Sequence, residues 1–295
     1  IYCSPEQIVI GASTQSLLML LLTMLMEKGM KTASVPARGF ERYAQIFRSR
    51  GMKVGIRQKE ADIIYVSPSH MTVWGEVMSL NRRLEILEHS RRGHLIIEDD
   101  YQNEMVFSRQ HCPCIYALSG GENVVYLGSF SRLLLPSIRI SFMILPRSLT
   151  GVYQELNGLY DQTASKTEQI ALCSYLRDNH IYSQIRRLRR TYKVKRALLY
   201  EILMLLCQGI EGLTVFSGES GTEMAIFGSP DAAEMLMERL SGLGIACKKM
   251  ALTYEMSEHS PGQLMLFSCG VISEEALTAL RDLCILSYNR VNLVK

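Results

Sequence analysis

Residues Tyr126–Ile140 read YLGSFSRLLLPSIRI. The stretch carries Ser129 and Ser131 as Ser-x-Ser, then Arg132, then Arg139 seven residues further on. An apolar strand, Val124–Leu127, leads in, and a second, Ile138–Leu145, leads out. Two hydroxyls and a guanidinium fork at the end of a buried strand have the donors that a phosphate needs. In a parallel α/β sheet, ligands bind beyond the carboxyl ends of the strands. The stretch therefore predicts a strand end built to hold an anion.

Working outward, β-branched runs recur at Ile8–Ile10, Ala33–Val35, Met52–Ile56, Ile63–Val66 and His94–Glu98. Helical patterns such as Glu41–Arg50 and Ser79–Arg91 lie between them. Strands alternating with helices predict an α/β fold whose mostly parallel sheet is flanked by helices. After Pro146 helical patterns dominate from Leu149 to Cys207. Short strands follow at Leu213–Phe216 and Glu223–Phe227, then a helix at Ala232–Leu243, a strand at Leu264–Cys269 and a helix at Glu274–Tyr288. This predicts a smaller α+β domain over 184–295 after a large domain over 1–183, joined by a long helix near 181–207. The joining segment contains QIRRLRRTYKVKR. Its Ile185, Leu188, Tyr192 and Leu199 recur at helical spacing, which puts the charges on a solvated or subunit-facing side rather than on DNA.

The 295 residues suffice for a large core, and a 47% hydrophobic to 21% charged balance is that of an ordinary globular chain. A net charge of +3 does not imply a nucleic-acid partner. The eight cysteines form no CxxC pair, which reads as free thiols in a reducing cytoplasm. His111-Cys112-Pro113-Cys114 has ligand-like residues, but a metal site would need a second cluster, so no metal is expected. The longest apolar run, Leu17–Met26, is broken by Thr23 and is too short for a membrane span. The chain enters almost at once on a strand and turn, which predicts a part of a longer gene product.

Two further strand ends carry polar residues. Ser13-Thr14-Gln15 stands at the start of the Leu/Met-rich helix, either as a simple N-cap or as a phosphate cradle. In LIIEDDYQNE a hydrophobic strand runs straight into Glu98-Asp99-Asp100-Tyr101. Packed like charges repel, so either the loop is solvated or something compensates them, such as a cation or a protonated ring nitrogen.

In order and spacing, GASTQ, VSPSH, IIEDDY and YLGSFS followed by a basic residue and Arg139 resemble the fold-type-I, class I/II aminotransferases that use pyridoxal 5'-phosphate. They are most similar to the aminotransferase-like domain of MocR/GabR-type regulators of the GntR family. The resemblance covers nearly the whole chain, including RRLRRTYKVKRALL and ISEEAL. It implies a seven-stranded-type sheet, a homodimer and a cofactor phosphate held by Ser13, Thr14, Gln15, Ser129, Ser131 and Arg139. It further implies Asp99 on the pyridinium nitrogen, Tyr101 on the ring hydroxyl, Phe40 stacked on the ring and His70 at its edge.

Arg132 falls where the family has its Schiff-base lysine. A guanidinium stays protonated and is neither a nucleophile nor a useful acid or base at working pH. No catalytic residue is therefore expected. Met71, Val73 and Trp74 replace a polar, Pro-containing loop, and Met265 stands about where the family has an arginine for the substrate carboxylate. The resemblance thus implies an effector and dimerisation domain that binds pyridoxal 5'-phosphate weakly or noncovalently and answers to a small amino-acid-like molecule. DNA would be bound only through an upstream winged helix outside this chain. Two alternatives stay open. One is a class I/II aminotransferase acting on an amino acid and a 2-oxo acid, which would need another lysine such as Lys166, Lys248 or Lys249. The other is a domain that keeps only its fold and dimer interface.

Overall fold

In the computed structural model Ile63 and Tyr65 face one side of a strand while Ile64 and Val66 face the other. Such alternation sorts the apolar residues of the first half into two layers. The structure describes the chain except for residues 37–39, 59, 102, 109–111, 136, 159–162, 245–252, 256–260 and 294–295. The side chains of 253–255, 261 and 287–293 are likewise outside the description. The chain divides into two units, residues 1–72 with 77–186, and residues 73–76 with 187–295.

The first unit runs β1 (Ile8–Gly11), α1 (Thr14–Glu27), β2 (Thr32–Val35), α2 (Glu41–Ser49), β3 (Lys53–Ile56), β4 (Ile63–Val66), α3 (Leu80–Arg91), β5 (Leu95–Asp99), α4 (Ile115–Ser119), β6 (Val124–Ser129), β7 (Ser141–Ile144), α5 (Arg147–Asn157) and α6 (Lys166–Arg177). It also takes the start of α7 (His180–Cys207). The sheet order is β1-β7-β6-β5-β4-β2-β3. β7 is antiparallel to both neighbours, and the other pairs are parallel, which is the mostly parallel α/β sheet expected. One core layer packs α1, α2 and α5 with Tyr65, Ile97, Val125 and Leu127. The opposite layer packs α3 and α4 with Ile64, Ile96, Val124 and Tyr126.

β7 is shorter than the sequence suggests, beginning at Ser141 rather than Ile138. The Ser131 hydroxyl donates to the Ile138 carbonyl at 2.7 Å, and the Phe130 amide to Ile140 at 3.0 Å. These bonds hold Ile138 and Ile140 against Phe130 and Ser131 before the strand starts.

The second unit continues α7 and adds β8 (Thr214–Phe216), β9 (Glu223–Gly228), α8 (Pro230–Gly242), β10 (Thr253–Glu255), β11 (Pro261–Ser268) and α9 (Glu274–Leu293). Its antiparallel sheet has the order β10-β11-β9-β8. Met224, Ile226 and Met265 turn to the helical side. Met265 is a core residue, 1% exposed, so it faces no ligand. Ala225, Leu264 and Leu266 turn to the other side, where Trp74 covers them. Trp74 and Gly75 accept backbone bonds from Gly218 and Ser220, both at 2.9 Å. Gly75 has φ +86°, and a Cβ there would lie 2.0 Å from the Ser220 carbonyl oxygen, so this turn requires glycine. Among the described residues no helix is long and apolar enough to cross a membrane.

Candidate functional site

The end of β5 places three acids in succession, and strand alternation separates them. Asp99 follows Leu95 and Ile97 onto the α1 layer, whereas Glu98 follows Ile96 onto the α4 layer. All three carboxylates are buried, so the solvated-loop reading of the acidic run does not hold. Glu98 accepts the Ile115 and Tyr116 amides at the start of α4, each at 2.8 Å. Burial, and then the neighbouring Asp100, still push its carboxyl up to about 8. Asp100 accepts the Tyr126 hydroxyl at 3.1 Å.

Asp99 is 0% exposed, and burial raises its pKa to about 6 despite hydrogen bonds that lower it. One carboxylate oxygen, Oδ2, accepts the Tyr65 hydroxyl. The other, Oδ1, is buried and accepts no hydrogen bond among the described residues. The Tyr43 hydroxyl interacts with the same carboxylate, with Tyr65 and with Thr14. Tyr43 stacks on Tyr65 with centroids 4.9 Å apart, and Phe40 packs against both at about 6 Å. Phe40 begins α2 and is itself buried. Tyr43 and Tyr65 are absent from the sequence-based set of site residues. The available signal was Tyr65 itself, since a tyrosine inside the buried run IIYV needs a partner for its hydroxyl.

Register assembles a second polar group two residues beyond Asp99. Ser129 lies opposite Ser141, and Ser141 opposite Gly11, so three neighbouring strands end side by side. At ~4.8 Å per strand this sets Ser129 about 10 Å from the turn that starts α1. The Ser129 hydroxyl accepts from Ser141 at 3.1 Å and from the Ser131 amide at 3.3 Å, which leaves its own proton to donate. Ser131 spends its proton on Ile138, so a phosphate would have to turn that hydroxyl. Ser13 is the N-cap of α1, accepting the Ser16 amide at 3.1 Å. Thr14 and Gln15 open the helix, where amides lack intrahelical acceptors and the helix dipole favours an anion.

A third group surrounds Tyr101. The Arg132 guanidinium lies over its ring at 5.5 Å, and the His70 ring meets it edge-on at 5.5 Å. Arg132 and Arg139 are both exposed. Lys166 is exposed at the first position of α6, while Lys248 and Lys249 lie outside the described residues. So does His111. Cys114, from the same motif, caps α4 by accepting the Ala117 amide at 3.4 Å.

No protein-family model matches the chain. YhdI, an uncharacterized HTH-type transcriptional regulator of Bacillus subtilis (strain 168), is 32% identical over 288 residues, 92% of this chain and 60% of that protein. The probable rhizopine catabolism regulatory protein MocR of Rhizobium meliloti is 26% identical over 278 residues, 88% of this chain and 55% of that protein. The structure of LysN, an α-aminoadipate aminotransferase of Thermus thermophilus, matches with a TM-score of 0.72 at 20% identity, over 98% of this chain and 79% of that one. The chain is similar to part of these transcriptional regulators and has the fold of the fold-type-I aminotransferases. The chain spans a little over half the length of the two regulators, and its sheet is that of the fold-type-I aminotransferases. The LysN structure carries N-(5'-phosphopyridoxyl)-L-leucine.

Proposed function

We propose that this chain is a MocR-type effector and dimerisation part of a cytoplasmic bacterial transcriptional regulator, and that it holds pyridoxal 5'-phosphate without a covalent bond. DNA would be bound by the helix-turn-helix part of the whole protein, after which the relatives are named. The observation that carries the reading is Asp99. A buried carboxylate with one oxygen unpaired and its pKa raised is costly. A protonated ring nitrogen fits that oxygen as a charge-assisted donor.

The other residues fit the same group. Ser129 has a proton to donate, the first turn of α1 offers free amides, and Arg139 is an exposed cation at the end of the same loop. Phe40 would lie against the ring, with Tyr101 and His70 at its polar edge. When bound, the cofactor would supply an electron sink and an aldehyde. The chain's contribution is to bind and orient it. Arg132, in the position read as the lysine's, presents a guanidinium, which offers no nucleophile. The domain is then a sensor, two of which pair as a homodimer, and its signal is an amino-acid-like molecule that changes the state of the site.

R132K tests the reading with one substitution. Arg132 is exposed, so the variant should fold. With pyridoxal 5'-phosphate it should gain a covalent adduct that borohydride makes permanent and mass spectrometry detects, while the unaltered chain gains none. An adduct on the unaltered chain, or none on R132K, would sink the assignment of Arg132.

A further inference from the structure

Asp99 is not the only buried polar group without a partner. Arg50 is the C-cap residue of α2, and its Nε is buried with no acceptor. The rest of its guanidinium makes no hydrogen bond or ion pair among the described residues either. The helix dipole favours a cation at a helix C-terminus, and that would account for a solvated side chain. It does not account for an enclosed one, because a guanidinium taken out of water needs acceptors in return.

Arg50 lines a cavity of about 380 Å³ in the first unit, beside the edge strand β1 and along α1. Along the helix it runs from Ser16 to Thr23, about 10 Å. Val9, Leu17 and Leu20 give it apolar walls, and no described residue that lines it is acidic. Two more donors stand at its rim. The Tyr153 hydroxyl donates to Asn157 Oδ1 at 2.9 Å, which leaves the Asn157 NH2 group to donate elsewhere. Thr163 Oγ1 accepts the Ala12 amide at 3.0 Å and keeps its own proton to donate. β1 stands three strands from β5, about 14 Å, so this cavity is separate from Asp99.

We propose that this cavity is a binding site for a monocarboxylate with an apolar body. A carboxylate supplies the two acceptor oxygens that a guanidinium fork matches. The apolar walls take the rest of the molecule, and the volume lies within the roughly 300–1,000 Å³ of small-molecule sites. The charge balance narrows the class further. An amino acid brings an ammonium, which would meet a cation and no acid. A second carboxylate would be pressed against Val9, Leu17 or Leu20. The site therefore takes an acid without an amine, and it does so whether or not a cofactor occupies the strand ends.

Isothermal titration calorimetry of the purified chain tests this with 3-phenylpropionate as the probe. Phenylalanine has the same body with an added ammonium, and 3-phenylpropan-1-ol has it without the charge. The acid should bind saturably, and the other two at least about tenfold more weakly. R50M keeps the length of the side chain and removes its charge, and it should abolish the preference for the acid. No partner is orphaned by that change, so R50M should keep its urea midpoint. R50K keeps the charge but loses the fork, and should bind the acid with intermediate affinity. D99N should bind it as the unaltered chain does, which separates this site from the cofactor reading. No saturable binding, equal binding of acid and alcohol, or an unchanged preference in R50M would overturn the proposal. If R50M does not fold, R50K decides, and an undiminished affinity there overturns it. Loss of self-association in R50M would make the cavity a contact between copies and would overturn it as well.

Discussion

Glu98 and Asp99 are neighbours on one strand, equally buried and both raised above the ordinary carboxylate range, yet the chain uses them in opposite ways. Glu98 faces the α4 layer, and each of its oxygens takes a backbone amide that would otherwise be orphaned at a helix start. Asp99 faces the α1 layer, takes one tyrosine hydroxyl and leaves the other oxygen unpaired among the described residues. Satisfied buried acids hold structure together, while unsatisfied ones mark places where stability has been given up for a ligand. The difference arises from strand parity alone, one residue apart.

Removing Glu98 should cost most. Glu98→Ala leaves two buried amides unpaired and should destabilise the domain by about 3 kcal/mol in urea unfolding. Glu98→Gln keeps one acceptor and should cost less. A loss below about 0.5 kcal/mol for the alanine variant would mean that Glu98 is no anchor and would break the comparison.

Asp99→Asn should move stability the other way. The folded carboxyl titrates near 6, above its ordinary 3.8. A raised folded pKa contributes stability that is full below pH ~4 and is lost as pH rises through about 6. The unaltered chain therefore bears the whole cost at pH 8, and the asparagine variant does not. It should be more stable by about 2 kcal/mol at pH 8, with the gain vanishing near pH 4. A destabilised variant at pH 8 would place Asp99 with Glu98 as a structural acid. The smallest effect belongs to Tyr65→Phe, which should cost about 1 kcal/mol. Because the Tyr65 hydrogen bond lowers the Asp99 pKa, its loss should also shift the pH dependence upward. An unchanged pH profile would show that Tyr65 does not set the charge of Asp99.

Much of the sheet was legible because its strands are short β-branched runs and its helices amphipathic, both local signals. The strand ends were legible as polar residues after apolar runs. What each acid does was not, since neither the amides of Ile115 and Tyr116 nor the hydroxyls of Tyr43 and Tyr65 sit beside the acids in sequence. Trp74 is the clearest example. Beside Met71 and Val73 it reads as a departure in a loop near the ring, yet the structure packs it with Ala225 and Leu264, far along the chain. Met265 likewise reads as a lost carboxylate contact and turns out to be core. Residues 138–140 read as strand, yet a side chain, Ser131, draws them into the loop.

The central claim is a cofactor pocket that binds through Asp99 without covalent chemistry. Its most direct test is equilibrium dialysis of the purified chain and of D99N against pyridoxal 5'-phosphate, followed by borohydride and mass spectrometry of the chain. The unaltered chain should bind saturably and fully reversibly, D99N should bind at least about tenfold more weakly, and neither should gain mass. Equal binding by the two chains, or a cofactor mass fixed on the unaltered one, would contradict it.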